Sequence, residues 1–330
     1  MNKKMKKNLT YAVSGGIILS AIAISFMLLS IQTSDNSVPV QIQEEKIKVF
    51  ASFYPYYEFT RNVAGEYAIV KQYLPTGVEP HGWEPHAGEI QSLKDADVFV
   101  YNGLGMESYI DRLIISGEFD HVIFVKASDG IAFINPTEEH DIGDDDSNAE
   151  HEEDFEFDPH IWIDPLLVKQ QVNNIRDGLI KSDPKNTQHY VQNALTYNEK
   201  LDSLDMKIKS ELSSCQKDTI VSFHNAFTYL GKRYDIKVVA LSGLAPDSEA
   251  SASKIAKLVD FIKDNDIKII FAEELVDPRL AEVIAEETGT EVMVLSPLEG
   301  LTPEEESREM TYIEKMEQDL DLLKIALECQ

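Results

Sequence analysis

Cysteine is almost missing. The chain of 330 residues has two, Cys215 and Cys329, and no CxxC pair. That excludes a thiolate zinc site, which needs several clustered cysteines. The two form one disulfide in an oxidising compartment or stand as two free thiols; spacing leaves both open. Basic charge is also scarce, with 30 Lys and Arg against 58 Asp and Glu and a net charge of −28. A chain this acidic repels phosphate backbones and anionic lipid surfaces, so no nucleic-acid partner is expected. No HExxH or HxH phrase occurs, so the common metallohydrolase signatures are absent.

Long apolar runs are missing too, with one exception. Behind the basic start MNKKMKKN, the segment Tyr11 to Ile31 carries no charge. A helix needs about 20 such residues to cross a bilayer, and the lysines before it stay inside. The run is longer than a signal h-region of roughly 7–15 residues. Residues 1–31 therefore read as an uncleaved anchor, or as a signal segment if cleaved, with 32–46 as a tether. No cysteine follows the run, which excludes a lipid-modified one there. Everything beyond it faces the outside, at the cell surface or as a periplasmic or secreted protein.

Beyond residue 46 the composition is that of a folded protein. Strand-like segments recur at 47–55, 67–75, 97–103 and 121–128, and again at 219–224, 236–243, 267–274 and 291–297. Helix-like segments fall between them, among them 56–65, 165–182 and a closing 311–328. Such alternation predicts parallel sheets covered by helices. Between the two sets runs a helix over 183–214, with Asp183 as expected N-cap and Pro184 at the first helical position. Periodicity serves a rigid link and a long surface helix equally. With alternation on both sides, the expected fold is α/β: two Rossmann-like lobes, 47–182 and 215–330, joined by one long rigid helix. No internal sequence repeat is evident. Residues 130–157 form an acidic tract with too little apolar surface to order itself.

Eight histidines are present. His121 and His189 read as structural, and His140 and His151 lie in the acidic tract. The other four sit at more telling places. His81 and His86 are in the turn-rich GVEPHGWEPHAGEI, His160 is in DPHIWIDP, and His224 is in TIVSFHNAF at a strand's C-terminal end. Ligands of open α/β sheets bind beyond the carboxyl ends of strands. His81, His160 and His224, drawn from both lobes, would converge on a cleft metal site. Asp158 and Asp164 bracket His160, either orienting its ring or forming turns before proline. His86 reads as a surface histidine near the mouth.

The phrases ASFYP, LPTGVEPHGWEP, ADVFVYNGLGME, DPHIWIDP, SFHNAFTYL and IIFAEE occur in order across 47–329. In them the chain resembles the zinc and manganese receptors of ABC importers, the cluster A-I solute-binding proteins. The resemblance implies two lobes bridged by one long helix, and no enzymatic activity. It implies metal ligands at His81, His160 and His224, with Glu299 as candidate for the fourth. It also implies Zn2+ as the transported ligand, an ABC permease as partner, membrane attachment through the N-terminal segment, and a monomer. Manganese members carry glutamate at the third position, so His224 favours zinc, as the affinity of imidazole for zinc also does. Ser296 stands where many zinc receptors have aspartate, which leaves the role of the Glu299 loop open. Zinc-type members often carry an acidic, histidine-containing loop before DPHxW; the tract at 130–157 would then concentrate zinc near the cleft. A manganese receptor of the same family is the first alternative. A zinc hydrolase is the second, with Glu273 or Glu274 as candidate bases near the cleft. Cell adhesion is also attributed to family members, and no residue pattern here bears on it.

Overall fold

In the computed structural model, which describes residues 45–135, 156–246 and 251–330, strands and helices alternate as expected. The apolar run at Tyr11–Ile31, the tether up to residue 44, and most of the acidic tract, with His140 and His151, lie outside the described residues. Among the described residues no helix is long and apolar enough to cross a membrane.

The first half holds β1 (Ile47–Ala51), α1 (Tyr54–Ala64), β2 (Ala68–Gln72), α2 (Ala87–Ser92), β3 (Val98–Tyr101), α3 (Ile110–Ser116), β4 (Ile123–Lys126) and α4 (Pro165–Ser182). After a turn of 3-10 helix at Pro184–Asn186 comes α5 (Thr187–Leu212), 26 residues and about 39 Å long at 1.5 Å per residue. The second half holds β5 (Thr219–Ser222), α6 (Thr228–Tyr234), β6 (Lys237–Ala240), α7 (Ala252–Asp264), β7 (Ile269–Ala272), α8 (Arg279–Thr288), β8 (Glu291–Val294), α9 (Pro303–Ser307) and α10 (Tyr312–Ala326).

Each half builds one four-stranded parallel sheet, in the order β2-β1-β3-β4 and β6-β5-β7-β8. The two topologies are the same, although no sequence repeat announces it. In each sheet the strand order reverses once, between β1 and β3 and between β5 and β7. Those are the points where open α/β sheets leave a crevice at their carboxyl ends.

α5 joins the halves through an apolar stripe. Tyr190, Ala194, Tyr197, Leu201, Leu204 and Ile208 recur at alternating spacings of four and three, and all are buried. They belong to one continuous core that also takes in Val49, Phe59 and Val172 from the first half and Ile220, Met316 and Leu320 from the second. Two separate clusters cover the outer face of each sheet, around Phe99 and Leu93 in one and Val221 and Ile270 in the other. The long helix is therefore a link with its own buried face. On α4, a Cβ at Gly178 would come within 2.3 Å of Val125, so glycine is what lets this helix lie against β4.

Two local expectations change. The strand expected over 47–55 ends at Ala51, and α1 begins at Tyr54, because Pro55 fits a first helical turn and cannot donate to a sheet. Asp183 does not cap a backbone N–H with its side chain; its Oδ2 accepts from Asn186 (2.7 Å) and the Tyr190 hydroxyl (2.7 Å). The two cysteines, open in the sequence, form a disulfide that ties Cys215, between α5 and β5, to Cys329 beyond α10.

Candidate metal centre

Three segments present histidines to one point. After β2 the chain turns through Gly77 and Gly82, both at positive φ, and carries His81 between them. His81 Nδ1 lies 2.6 Å from Glu79 Oε1, which also accepts the His81 backbone N–H at 2.9 Å. DPHIWIDP repeats that device. Asp158 Oδ1 meets His160 Nδ1 at 2.8 Å and the His160 N–H at 2.9 Å. In both, an acid–Pro–His tripeptide lets one carboxylate oxygen grip the backbone and ring of the histidine two residues on. The segment is fixed over the first sheet's switch point by Asn102, just past β3, which donates to the Pro159 carbonyl at 3.0 Å.

His224 receives its partner from another strand. β5 and β7 pair with Ser222 opposite Phe271. Two residues further on, this register sets His224 beside Glu273, whose Oε1 lies 2.6 Å from Nδ1 and 3.3 Å from the backbone nitrogen. Glu299 arrives from the loop after β8. Trp162 and Tyr312 hold that side of the cleft together. Trp162 Nε1 donates to the Pro297 carbonyl at 2.7 Å, and the Tyr312 hydroxyl donates to the Trp162 carbonyl at 2.7 Å.

The result is a buried cluster in which one ligand atom from each of His81, His160, His224 and Glu299 lies within 4.8 Å of the others. His160 Nε2 and His224 Nε2 are 3.3 Å apart, and Glu299 Oε1 is 3.3 Å and 3.5 Å from them. Because a carboxylate faces each Nδ1, the hydrogen-bond network assigns the proton there and leaves Nε2 as a lone pair. Lone pairs and a carboxylate facing one another in a dry site are a donor set that could hold a cation. Four ligands at about 2.0–2.1 Å around tetrahedral zinc stand about 3.3–3.4 Å from one another, close to the separations among His160, His224 and Glu299.

The electrostatics point the same way. Burial by itself would lower the pKa of His160, but the Asp158 charge and hydrogen bond, with Glu299, push it above the ordinary histidine value. Burial opposes protonation of His224 as well, and Glu273 followed by Glu299 overrides it, so its pKa is raised well up. Burial would raise Glu299, yet the three histidines hold it far below the usual carboxylate range.

All four residues singled out in the sequence meet here. His86, His121 and His189 are exposed and elsewhere; the His189 ring stacks on Tyr67 at 4.0 Å. Asp158 orients a ring, whereas Asp164 caps α4 through Leu166 N (2.8 Å) and pairs with Arg233 on α6. Glu273 is tied to His224, and Glu274 to Lys315 at 2.9 Å, so both candidate bases are engaged. Glu79 escaped the sequence reading, although EPH at 79–81 and DPH at 158–160 already share its signature.

A family model described as "ZnuA: Zinc-uptake complex component A periplasmic" matches residues 49–326. The chain is 36% identical over 318 residues to the high-affinity zinc uptake system protein ZnuA of Bacillus subtilis, covering 94% of this chain and 97% of that one. It is 39% identical over 279 residues to the zinc-binding lipoprotein AdcA of Streptococcus pneumoniae, covering 84% of this chain but 55% of AdcA, so it spans about half of that relative. The crystal structure of the Zn(II)-bound ZnuA-like domain of the same AdcA superposes with a TM-score of 0.72 at 36% identity, over 86% of this chain and 100% of the domain.

Proposed function

The chain belongs to the ZnuA family of zinc-uptake components, and from that premise we propose that it is an extracytoplasmic receptor that captures Zn2+ and delivers it to an ABC permease. His81, His160, His224 and Glu299 are its ligands. The observation that carries this is the convergence of imidazole nitrogens and one carboxylate within 4.8 Å of one another, each ring oriented by its own acid, with His160, His224 and Glu299 at separations that fit tetrahedral zinc. Three imidazoles suit zinc better than manganese, which prefers oxygen ligands.

Four protein ligands close the coordination sphere, whereas catalytic zinc keeps one position open for water or substrate. That favours a receptor over a hydrolase. The disulfide supports an oxidising, extracytoplasmic setting. The uncharged segment 11–31 serves as the membrane anchor of a monomeric receptor, and the acidic tract with His140 and His151 collects zinc weakly.

The test is competitive titration of the full chain with Zn2+ and Mn2+ at neutral pH, beside His224→Ala and a deletion of 138–156. One tight zinc site, weak manganese, and loss of the tight site in His224→Ala are expected. The deletion should remove only weak extra binding. If His224→Ala holds zinc as tightly as the unaltered chain, the cleft is not the site.

A further inference from the structure

The loop that presents Glu299 is held in a conformation it would not choose. Leu298, the residue before it, is fully buried and has φ +57°, in the left-handed region that a residue with a side chain rarely adopts. Such a conformation persists only where the surroundings over-determine it. Here they do so through a chain of polar contacts leading away from the metal centre. The Leu298 N–H donates to Ser296 Oγ at 3.0 Å, and Ser296 Oγ donates to Glu274 Oε1 at 2.5 Å. Lys315 Nζ donates to that same Glu274 oxygen at 2.9 Å and to Glu305 Oε1 at 2.8 Å. One turn further along α10, Asp319 accepts the Ser296 backbone N–H at 3.0 Å.

Lys315 is 2% exposed, and its ammonium sits between two carboxylates. A buried cation is costly unless paired, and so is each carboxylate if the cation is removed. Without Lys315, Glu274 would turn towards water. That weakens its grip on Ser296, whose hydroxyl holds the left-handed turn. Glu299 is the next residue along.

We infer that Lys315 is a positioning residue for zinc capture: through Glu274 and Ser296 it fixes the turn at Leu298 and so aims the Glu299 carboxylate at the Nε2 atoms of His160 and His224. This rests on the assignment of Glu299 and the three histidines as zinc ligands.

The experiment compares the full chain with Lys315→Met, Ser296→Ala, Glu299→Gln and the two pairwise combinations with Glu299→Gln. Zinc affinity is read by chelator competition, and site geometry by the visible absorption of bound Co2+. Lys315→Met and Ser296→Ala are each expected to weaken zinc by about 10–100-fold, the usual effect of losing a group that orients a ligand. Each should also move the Co2+ bands towards those of Glu299→Gln. In the Glu299→Gln background neither should weaken zinc further, because the group they position is already gone. Ser296→Ala leaves the buried charges paired, so it carries the test even if Lys315→Met does not fold. Unchanged affinity and Co2+ bands in Ser296→Ala, or losses that add in full to that of Glu299→Gln, overturn the inference alone. A Glu299→Gln chain that binds zinc like the unaltered one overturns the ligand assignment, and this inference with it.

Discussion

Glu273 is not one of the four candidate ligands, yet its charge should be measurable in zinc affinity. Its Oε1 lies 2.6 Å from His224 Nδ1 in a site where His224 is fully buried. Glu273→Gln keeps the shape and an acceptor oxygen but removes the charge. A hydrogen bond to a charged group contributes about 1.5–3 kcal/mol and a neutral one about 0.5–1.5 kcal/mol. The difference, about 1–1.5 kcal/mol, corresponds to roughly tenfold in affinity.

The pH dependence makes this prediction specific. Glu273 is the main reason the His224 pKa is raised in the metal-free protein, so it also strengthens the proton that zinc must displace. In Glu273→Gln that competition is weaker. The affinity gap should be about tenfold above neutral pH and should close as pH falls. Stability of the metal-free protein runs the other way. A raised folded pKa adds stability that is fully present below the ordinary histidine pKa of about 6.5 and is lost as pH rises through the folded value. The variant should therefore lose most stability at acid pH and least at alkaline pH. Chelator competition and chemical denaturation between pH 5.5 and 8.5 read both trends. Equal zinc affinity for the two proteins at alkaline pH, or an affinity gap that widens on acidification, would refute the orienting role of Glu273.

Two further predictions concern the frame around the site. The Cys215–Cys329 bridge closes a segment with a sequence separation of 114, for which loop closure gives about 4–5 kcal/mol. Reduction, or paired Cys→Ser substitution, should lower the denaturation midpoint strongly and leave zinc affinity intact, since Cys215 precedes β5 and His224 follows its opposite end; a large loss of affinity in the folded, reduced protein would contradict this. Leu201 is fully buried on the inner stripe of α5, so Leu201→Ala should cost about 2–5 kcal/mol in a denaturation experiment. A loss below about 0.5 kcal/mol would mean that this stripe is not part of the shared core.

Much of this protein is written locally. Alternating apolar segments of strand and helix length specify two α/β halves, because each element must bury one face, and α4 runs from Pro165 to the Asp183–Pro184 step that ends it. Acid–Pro–His at 79–81 and 158–160 also acts locally, since a carboxylate two residues before a histidine reaches both its backbone and its ring. The sequence marks His81, His160 and His224 by their places around strand ends, and its resemblance to a known family makes Glu299 a candidate. What it cannot specify is anything that depends on pairing distant segments. Glu273 orients His224 only because β5 and β7 pair with Ser222 opposite Phe271, a register set by packing of both strands. The long helix becomes a link only because Leu201 and Leu204 share a core with both sheets. Lys315 reads in sequence as one more charge on an amphipathic helix; burial beside Glu274 and Glu305 is what gives it a role. Local patterns determine which groups can bind a cation, and tertiary packing decides which of them are dry, oriented and close enough to do so.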